Sequence, residues 1–241
     1  IDVIEAEGIY EIAGIVNQSE ENKEQVLEYD VLGDDGDLPE LLKKHPNALI
    51  TVGQIKSSDL RLKLFEQVQR LGFVLPTIIS PRAYVSKNAS LGIGTIVMHD
   101  ALVNTGGKIG NNCILNTKSL VEHDAIVEDH CHISTSSVVN GGAVIREQSF
   151  IGSNSTIKEF ITIGKKSVIG LGLRVMCDLP EKFWMKNNLG IFWEYYRTWR
   201  TRPDPMCRFL PSGSRIPPSR TRNIMPGSWN GTSPGFRNCA W

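Results

Sequence analysis

The sequence predicts a small α/β domain, then a three-sided parallel-β solenoid, then an atypical C-terminal segment. Three observations lead to this prediction: two buried aliphatic runs near the start, a long six-residue repeat, and a change of composition near residue 185. The chain of 241 residues is 41% hydrophobic, which is enough to bury a core of globular type. The predicted boundaries are 1–76, 77–183 and 184–241.

The region 1–76 has the pattern of an incomplete Rossmann-like domain. A helix is predicted over 1–7, buried parallel strands over 12–16 and 48–52, and a third short strand over 73–75. Such a domain normally opens with a strand and a Gly-rich turn whose backbone amides face phosphate. No such turn precedes the first helix in this sequence.

Two further helices are predicted inside this region. Asp37 and Pro39 begin a short one, because proline suits an early helical position. Ser57 or Ser58 caps a longer one that ends at Gly72. The apolar face of the longer helix is formed by Leu60, Leu64, Phe65, Val68 and Leu71.

The repeat has a period of six positions. An aliphatic residue occupies every sixth position from Ile79 to Val175, and a small residue precedes it by two in every unit except those with Ile161 and Leu173. Two inward positions separated by one residue fit the pleat of a short strand. Three such units therefore close one coil around an aliphatic interior, with Gly or Asn after the aliphatic residue suited to the turn.

The outward residue just before each aliphatic is also mostly apolar. A solenoid with such faces needs a partner surface to cover them. These outward residues are Ile96, Leu102, Ile114, Leu120, Ile126, Val138, Val144, Phe150 and Val168.

This hexapeptide pattern resembles the left-handed parallel β-helix acyltransferases. The run ILNTKSLVEHD at 114–124, the HIS at 132–134, and VGQ at 52–54 ahead of Arg61 are similar to motifs of the NeuD/PglD-like sugar acetyltransferases. The resemblance covers residues 1 to about 182. It implies an acetyl-CoA-dependent transferase that acts on a sugar hydroxyl or amine, and a homotrimer that covers the apolar faces.

His123 is the candidate general base, because an imidazole can take a proton near neutral pH. Asp124 next to it would orient the ring, which is the role that the family gives to an acid at this place. Adding one full coil of three units to His123 leads to Gly141, whose backbone N–H is a candidate oxyanion donor. In the resembling family the acetyl group moves directly, without a covalent enzyme intermediate.

His132 interrupts a column of apolar residues and follows His123 by half a coil. The two histidines therefore lie on opposite sides of one prism, and share a site only if different subunits contribute them. The resemblance implies that His132 contacts acetyl-CoA together with Ser153 and the backbone of Leu171.

The sugar is expected at the α/β domain, where the resemblance points to Asn17, Gly53 and Gln54. Nucleotide-sugar members of the family have acidic residues where this chain has Asn17 and Gln18. Both sialic-acid O-acetylation and N-acetylation of a UDP-4-amino sugar therefore stay open, and the LNT…EH motif leans toward the sialic-acid branch.

Two alternatives belong to other functional classes. One is a trimeric β-helix scaffold without catalysis. The other is a zinc enzyme similar to γ-class carbonic anhydrases, for which His99, His123, His130 and His132 are available. The spacing of four units between His99 and His123 places these two at different corners, so no metal is expected.

Composition limits the location and the partners of the chain. Five cysteines without a CxxC motif favour a reducing cytoplasm, and the sequence shows neither a membrane-spanning run nor a signal peptide at its start. Residues 1–185 carry 17 Lys and Arg against 24 Asp and Glu, whereas residues 186–241 carry 9 against 2. The basic, Trp- and Pro-rich tail is expected to be disordered or non-native, and nucleic-acid binding is not expected.

Overall fold

The computed structural model describes residues 1–17 and 25–186. The tail was expected to be disordered or non-native. Its residues from 187 onward lie outside the described part of the chain. The first six elements lie ahead of the repeat. They are α1 (Asp2–Glu7), β1 (Ile15–Val16), β2 (Gln25–Val26), β3 (Tyr29–Gly33), α2 (Leu38–Leu42) and α3 (Asp59–Leu71).

The repeat folds into a parallel β-helix with three faces. Face 1 contains β4 (Ile78–Ile79), β7 (Ile96–Val97), β10 (Ile114–Leu115), β13 (His132–Ile133), β16 (Phe150–Ile151), β19 (Val168–Ile169) and β21 (Trp184–Met185). Face 2 contains β5 (Tyr84–Val85), β8 (Leu102–Val103), β11 (Leu120–Val121), β14 (Val138–Val139), β17 (Thr156–Ile157) and β20 (Arg174–Val175). Face 3 contains β6 (Ser90–Leu91), β9 (Lys108–Ile109), β12 (Ile126–Val127), β15 (Val144–Ile145) and β18 (Thr162–Ile163).

Along most of each face, a strand pairs in parallel with the strand that lies three units further along the chain. Leu115 pairs with Ile133, and Ile133 pairs with Ile151, so the coil length deduced from the repeat is confirmed. These three aliphatic side chains are fully buried in the prism. The predicted fold class, an incomplete α/β domain followed by a left-handed parallel β-helix, is confirmed.

Small residues at the corners do more than leave space. The side chains of Thr95, Cys113 and Ser149 donate to the corner carbonyl 15 residues further on, at 2.8, 3.2 and 3.0 Å. Each bond gives a corner carbonyl of the adjacent coil a hydrogen-bond partner. Burial raises the pKa of the Cys113 thiol to about 12, so this cysteine stays protonated and able to donate.

The corner glycines differ from the prediction. The left-handed backbone conformation falls three residues after the aliphatic residue, for example at Asp124 with φ 58° and Phe160 with φ 57°. The glycines directly after the aliphatic residue serve the stacking of the coils. A Cβ on Gly92 or Gly152 would lie 2.5 or 2.6 Å from backbone carbon of the next coil.

Residues 1–76, called the mini-domain, contain the predicted helices. Helix α3 ends at Gly72, which has φ 100°, and Pro39 lies at the start of α2. Ser58 is the N-cap of α3, although its side chain makes no capping hydrogen bond. Leu60 is 57% exposed, so its assignment to the apolar face was wrong. The core consists of Leu38, Ile50, Phe65, Val68, Phe73 and Leu75.

The mini-domain sheet differs from the expected one. β1 pairs in parallel with β3, and β2 pairs with β3 in an antiparallel hairpin that was not predicted. The predicted strands 48–52 and 73–75 are replaced by a single bridge between Asn47 and Val74. The carbonyls of Ile50 and Val52 accept hydrogen bonds from the side chain of Arg61. These carbonyls are therefore satisfied without a neighbouring strand.

The mini-domain packs against the early coils of the β-helix. The ring of Phe65 meets the edge of the His130 ring at 5.3 Å between centroids, and a Cβ on Gly94 would lie 3.0 Å from Phe65. Helix α1 is fixed by Asp2, whose carboxylate lies 2.6 Å from His99 Nε2. No helix in residues 1–17 and 25–186 is long and apolar enough to cross a membrane.

Candidate active site

His123 lies at corner 2, the corner between faces 2 and 3. Its side chain is 52% exposed, and its Nδ1 lies 3.0 Å from Oδ2 of Asp124. The left-handed backbone of Asp124 turns this carboxylate beside the ring. With Nδ1–H donated to Asp124, the Nε2 atom carries the lone pair that can accept a proton.

Glu122 binds the backbone on the other side of His123. Its Oε2 accepts from the His123 amide at 3.2 Å and from Asn104 Nδ2 at 2.9 Å. Of the two flanking acids, Asp124 therefore contacts the imidazole, whereas Glu122 fixes the corner from which the imidazole projects.

Gly141 lies directly against the imidazole. A Cβ at this position would come within 2.6 Å of His123 Nε2, and the next amide, that of Gly142, donates to the His123 carbonyl at 3.0 Å. The ring and the glycine are thus in contact across two successive coils. No other residue type leaves room for the ring in this position.

Phe160 is a neighbour of this site that sequence reasoning missed. Its side chain is 76% exposed, and it lies over Gly142 so closely that a Cβ there would come 2.5 Å from the ring. Its amide donates to the Gly141 carbonyl at 3.1 Å. The coil register of the sequence could have predicted this contact, because Phe160 follows Gly142 by one coil.

His132 lies on face 1, and 8% of its surface is exposed. Its Nδ1 is 2.7 Å from the carbonyl oxygen of Gln54, and its Nε2 is 3.3 Å from Nδ2 of Asn116. The acceptor at Gln54 places the proton on Nδ1 and leaves Nε2 as an acceptor. Burial is the main cause that lowers the pKa of His132, so the neutral form is favoured.

The other two residues assigned to acetyl-CoA lie at corner 1, between faces 1 and 2. The hydroxyl of Ser153 is 2.9 Å from that of Ser134, in the coil before. Leu171 follows Ser153 by one coil and is 68% exposed. Ser153 and Leu171 thus stand one above the other along the corner next to His132.

The residues assigned to the sugar lie in the mini-domain. The amide of Asn17 donates to the Gly33 carbonyl at 3.1 Å. Gly53 borders open space, since no atom lies within 4 Å of a Cβ placed on it. Gln54 is buried, and its Nε2 donates to the His130 carbonyl at 2.6 Å. Within one chain, Gln54 and His132 are adjacent, whereas His123 lies at another corner.

A cavity of about 290 Å³ borders Gln54, between the loop 54–59 and face 1. Three lysines line it, Lys56, Lys166 and Lys182, against one acid, Asp59. The N-terminus of α3 also lies in its wall. Both features favour an anion in this cavity.

The histidines considered for zinc are dispersed. His99 binds Asp2 and Ser80, His123 binds Asp124, and His132 lies under Gln54. In the ranges 1–17 and 25–186, no group of three or more His, Cys, Asp or Glu side chains could hold a metal ion.

No protein-family model matches the chain, and no curated protein matches it in sequence. Its fold is similar to perosamine N-acetyltransferase from Caulobacter crescentus, solved with CoA and GDP-perosamine as a variant with one histidine replaced by asparagine. That chain is 30% identical, the TM-score is 0.71, and the match covers 76% of this chain and 85% of that one.

A second similar structure is the acetyltransferase domain of PglB from Neisseria gonorrhoeae, which has also been solved with acetyl-CoA. It is 29% identical with a TM-score of 0.69, and the match covers 76% of this chain and 87% of the domain. WeeI from Acinetobacter baumannii shares the fold at 20% identity, with a TM-score of 0.60 and coverage of 72% and 82%.

Proposed function

Because this chain belongs to the NeuD/PglD-like family of hexapeptide-repeat sugar acetyltransferases, we propose that it moves the acetyl group of acetyl-CoA to the amine of a nucleotide-linked amino sugar. The perosamine and PglB structures support acetyl-CoA as the co-substrate. The observation within this chain that carries the proposal is the His123–Asp124 pair, joined at 3.0 Å, with the imidazole so close to Gly141 that a Cβ there would lie 2.6 Å from Nε2.

His123 acts as the general base in this proposal. Its Nε2 takes a proton from the sugar amine as the nitrogen attacks the thioester carbonyl, and Asp124 stabilises the imidazolium through Nδ1–H. The C–S bond then breaks, and the departing thiolate takes up the proton that the His123 imidazolium carries at Nε2. The backbone N–H of Gly141 is the proposed donor to the carbonyl oxygen, where charge develops.

Acetyl-CoA is proposed to lie along corner 1 and face 1. Ser153 offers a hydroxyl and Leu171 an exposed apolar side chain one coil apart. His132 belongs to this group as well; 8% of its surface is exposed, and Gln54 of the mini-domain lies against its Nδ1. Because corner 1 and corner 2 are on different sides of the prism, the reaction needs His123 from a neighbouring copy. A homotrimer would supply it and would cover the apolar outward positions.

The nucleotide sugar is proposed to lie at the carboxyl edge of the mini-domain, near Asn17, Gly53 and Gln54. The lysine-lined cavity beside Gln54 supports this place, because ammonium groups attract a diphosphate. An amine acceptor is preferred to a sialic-acid hydroxyl because the perosamine enzyme is an N-acetyltransferase. Although the LNT…EH motif resembles that of the sialic-acid branch, the proposed acceptor is an amino sugar.

The test is an acetyl-CoA consumption assay with GDP-perosamine, a UDP-4-amino sugar and sialic acid as separate acceptors. The full chain should consume acetyl-CoA with an amino sugar, and His123→Ala should lower kcat by about 10²–10⁴-fold. His45→Ala, in the mini-domain, is the control that should keep wild-type turnover. Equal turnover by the wild type and His123→Ala would sink the mechanism, and turnover with sialic acid alone would exclude the amine acceptor.

A further inference from the structure

Arg61 is a fully buried cation without a counterion. It lies in the first turn of α3, 1% of its surface is exposed, and no acid forms an ion pair with it in the part of the chain that the structure describes. Desolvation lowers its pKa to about 10, so it stays charged at neutral pH. An apolar side chain of similar size would avoid this desolvation cost.

The guanidinium joins the mini-domain to the β-helix. Its Nη1 donates to the carbonyls of Ile50 and Val52, at 2.5 and 2.9 Å. Its Nε donates to the carbonyl of Asn112, at 3.3 Å, in the corner of the β-helix between faces 3 and 1. The planar guanidinium serves the three carbonyls from two separate nitrogens, whereas Lys carries all its donors on one atom and Met has none.

The β-helix also holds Gln54, which ends the turn formed by residues 52–54. Gln54 donates through Nε2 to the His130 carbonyl at 2.6 Å, and its own carbonyl accepts from His132 Nδ1 at 2.7 Å. Gly53 lies between these two fixed ends and faces open space. The turn 52–54 is therefore fixed on both sides, and its one glycine is presented to solvent.

The junction is not arranged for maximal stability. Arg61 Nη2, Asn112 Oδ1 and Gln54 Oε1 are buried atoms without a hydrogen-bond partner. Each such atom costs free energy that an apolar interface would not incur. The junction is therefore less stable than an apolar one would be, but it fixes the position of the turn 52–54.

We propose that Arg61 is a positioning residue for the nucleotide-sugar site, which holds the Gly53 turn at a fixed height above the β-helix. It acts through the carbonyls of Ile50, Val52 and Asn112 and does not touch the substrate. This inference rests on the proposed function, in which the Gly53 turn binds the nucleotide sugar. Loss of the fork lets the turn shift, and the affinity for this substrate falls much more than that for acetyl-CoA, which is proposed to lie mainly along corner 1.

The test compares Arg61→Lys and Arg61→Met with Phe65→Leu, which weakens the same docking surface one helical turn further on but removes no hydrogen bond to the carbonyls of residues 50–54. KM for GDP-perosamine, or for whichever amino-sugar nucleotide the wild type accepts, should rise about 10-fold in Arg61→Lys, with KM for acetyl-CoA within about 2-fold. Phe65→Leu should lower the melting temperature without this split. Parallel changes of both KM values, or an unchanged KM for the nucleotide sugar, would overturn the assignment.

Hydrogen exchange provides a second measurement that does not depend on turnover. The amides of residues 50–54 should exchange faster in Arg61→Lys than in Phe65→Leu at equal global stability. Equal protection in the two variants would overturn the positioning role. If the wild type acetylates no sugar, the proposed function fails, and the exchange comparison still decides whether Arg61 fixes the turn. Should Arg61→Met not fold, Arg61→Lys carries both measurements.

Discussion

In the β-helix one set of contacts recurs with every coil, whereas in the mini-domain each decisive contact occurs once. Ile133 pairs with Leu115 and Ile151 in a register that the neighbouring strands repeat. The turn 52–54, by comparison, depends on Arg61 and on the Gln54–His132 contact. Where a contact is repeated in every coil, the loss of one copy leaves the others to hold the geometry. Where a contact occurs once, the geometry depends on a single side chain. The first region supplies a rigid base for His123, and the second presents a turn whose position one substitution can change.

The largest effect is expected where the register itself makes the site. Gly141→Ala places a Cβ within 2.6 Å of His123 Nε2, so the ring must leave its position beside Asp124. A misplacement of about 1 Å lowers kcat by about 100-fold. Steady-state kinetics would show this, with far-UV circular dichroism as the control for folding. Wild-type kcat in Gly141→Ala would contradict the assignment of this corner as the reaction centre.

A matched pair of glycines compares the two regions directly. Gly152→Ala forces a Cβ to 2.6 Å from the backbone of Gly170, whereas Gly53→Ala meets no atom within 4 Å. The free energy of unfolding should fall by about 1–3 kcal/mol in the first variant, as for other overpacked sites. In the second it should stay within about 0.5 kcal/mol of the wild type. Urea denaturation measures both, and equal losses would mean that coil stacking is not what requires Gly152.

Mild acid should loosen the mini-domain before it affects the β-helix. Burial lowers the pKa of both His130 and His132, and the two rings lie at the junction with Phe65 and Gln54. A histidine whose pKa is lowered in the folded state binds a proton more tightly in the unfolded state. Its contribution is therefore complete above the unfolded value of 6.5 and is lost as the pH falls below it.

Hydrogen exchange at pH 7.5 and pH 5.5, corrected for intrinsic rates, is the measurement for this smaller effect. Protection of residues 50–75 should fall several-fold, while the interior strands from Val97 to Ile169 keep theirs. Uniform loss along the chain would show that the junction is not the acid-sensitive part.

The sequence predicts the β-helix well because its physics is local and repeated. The inward aliphatics, the coil length and the closeness of Gly141 to His123 all follow from one period. The mini-domain lacks such redundancy. No pattern indicates that Arg61 will take the carbonyls of a predicted strand, since that contact joins residues whose spacing has no period.

The hairpin formed by β2 and β3 illustrates the same limit. Its turn contains Leu27 with φ 56°, a conformation for which sequence rules expect Gly or Asn. The roles of His123, Asp124 and Gly141 in catalysis, and those of His132, Ser153 and Leu171 toward acetyl-CoA, stay predictions. The structure gives their positions, and kinetic assays of the variants decide their chemistry.

The left-handed corner position gives this fold a means of changing its chemistry. Asp100, Asp124, His130, Gln148 and Phe160 all occupy it, and their side chains range from acidic to aromatic. The interior is built by other residues of each unit, so a substitution at this position leaves the packing of the prism unchanged. The β-helix can thus keep its core while the side chains at the left-handed corner positions are changed one at a time. New acceptor specificities should be sought by varying Phe160, which lies over Gly142 beside the proposed reaction centre, before any residue of the core.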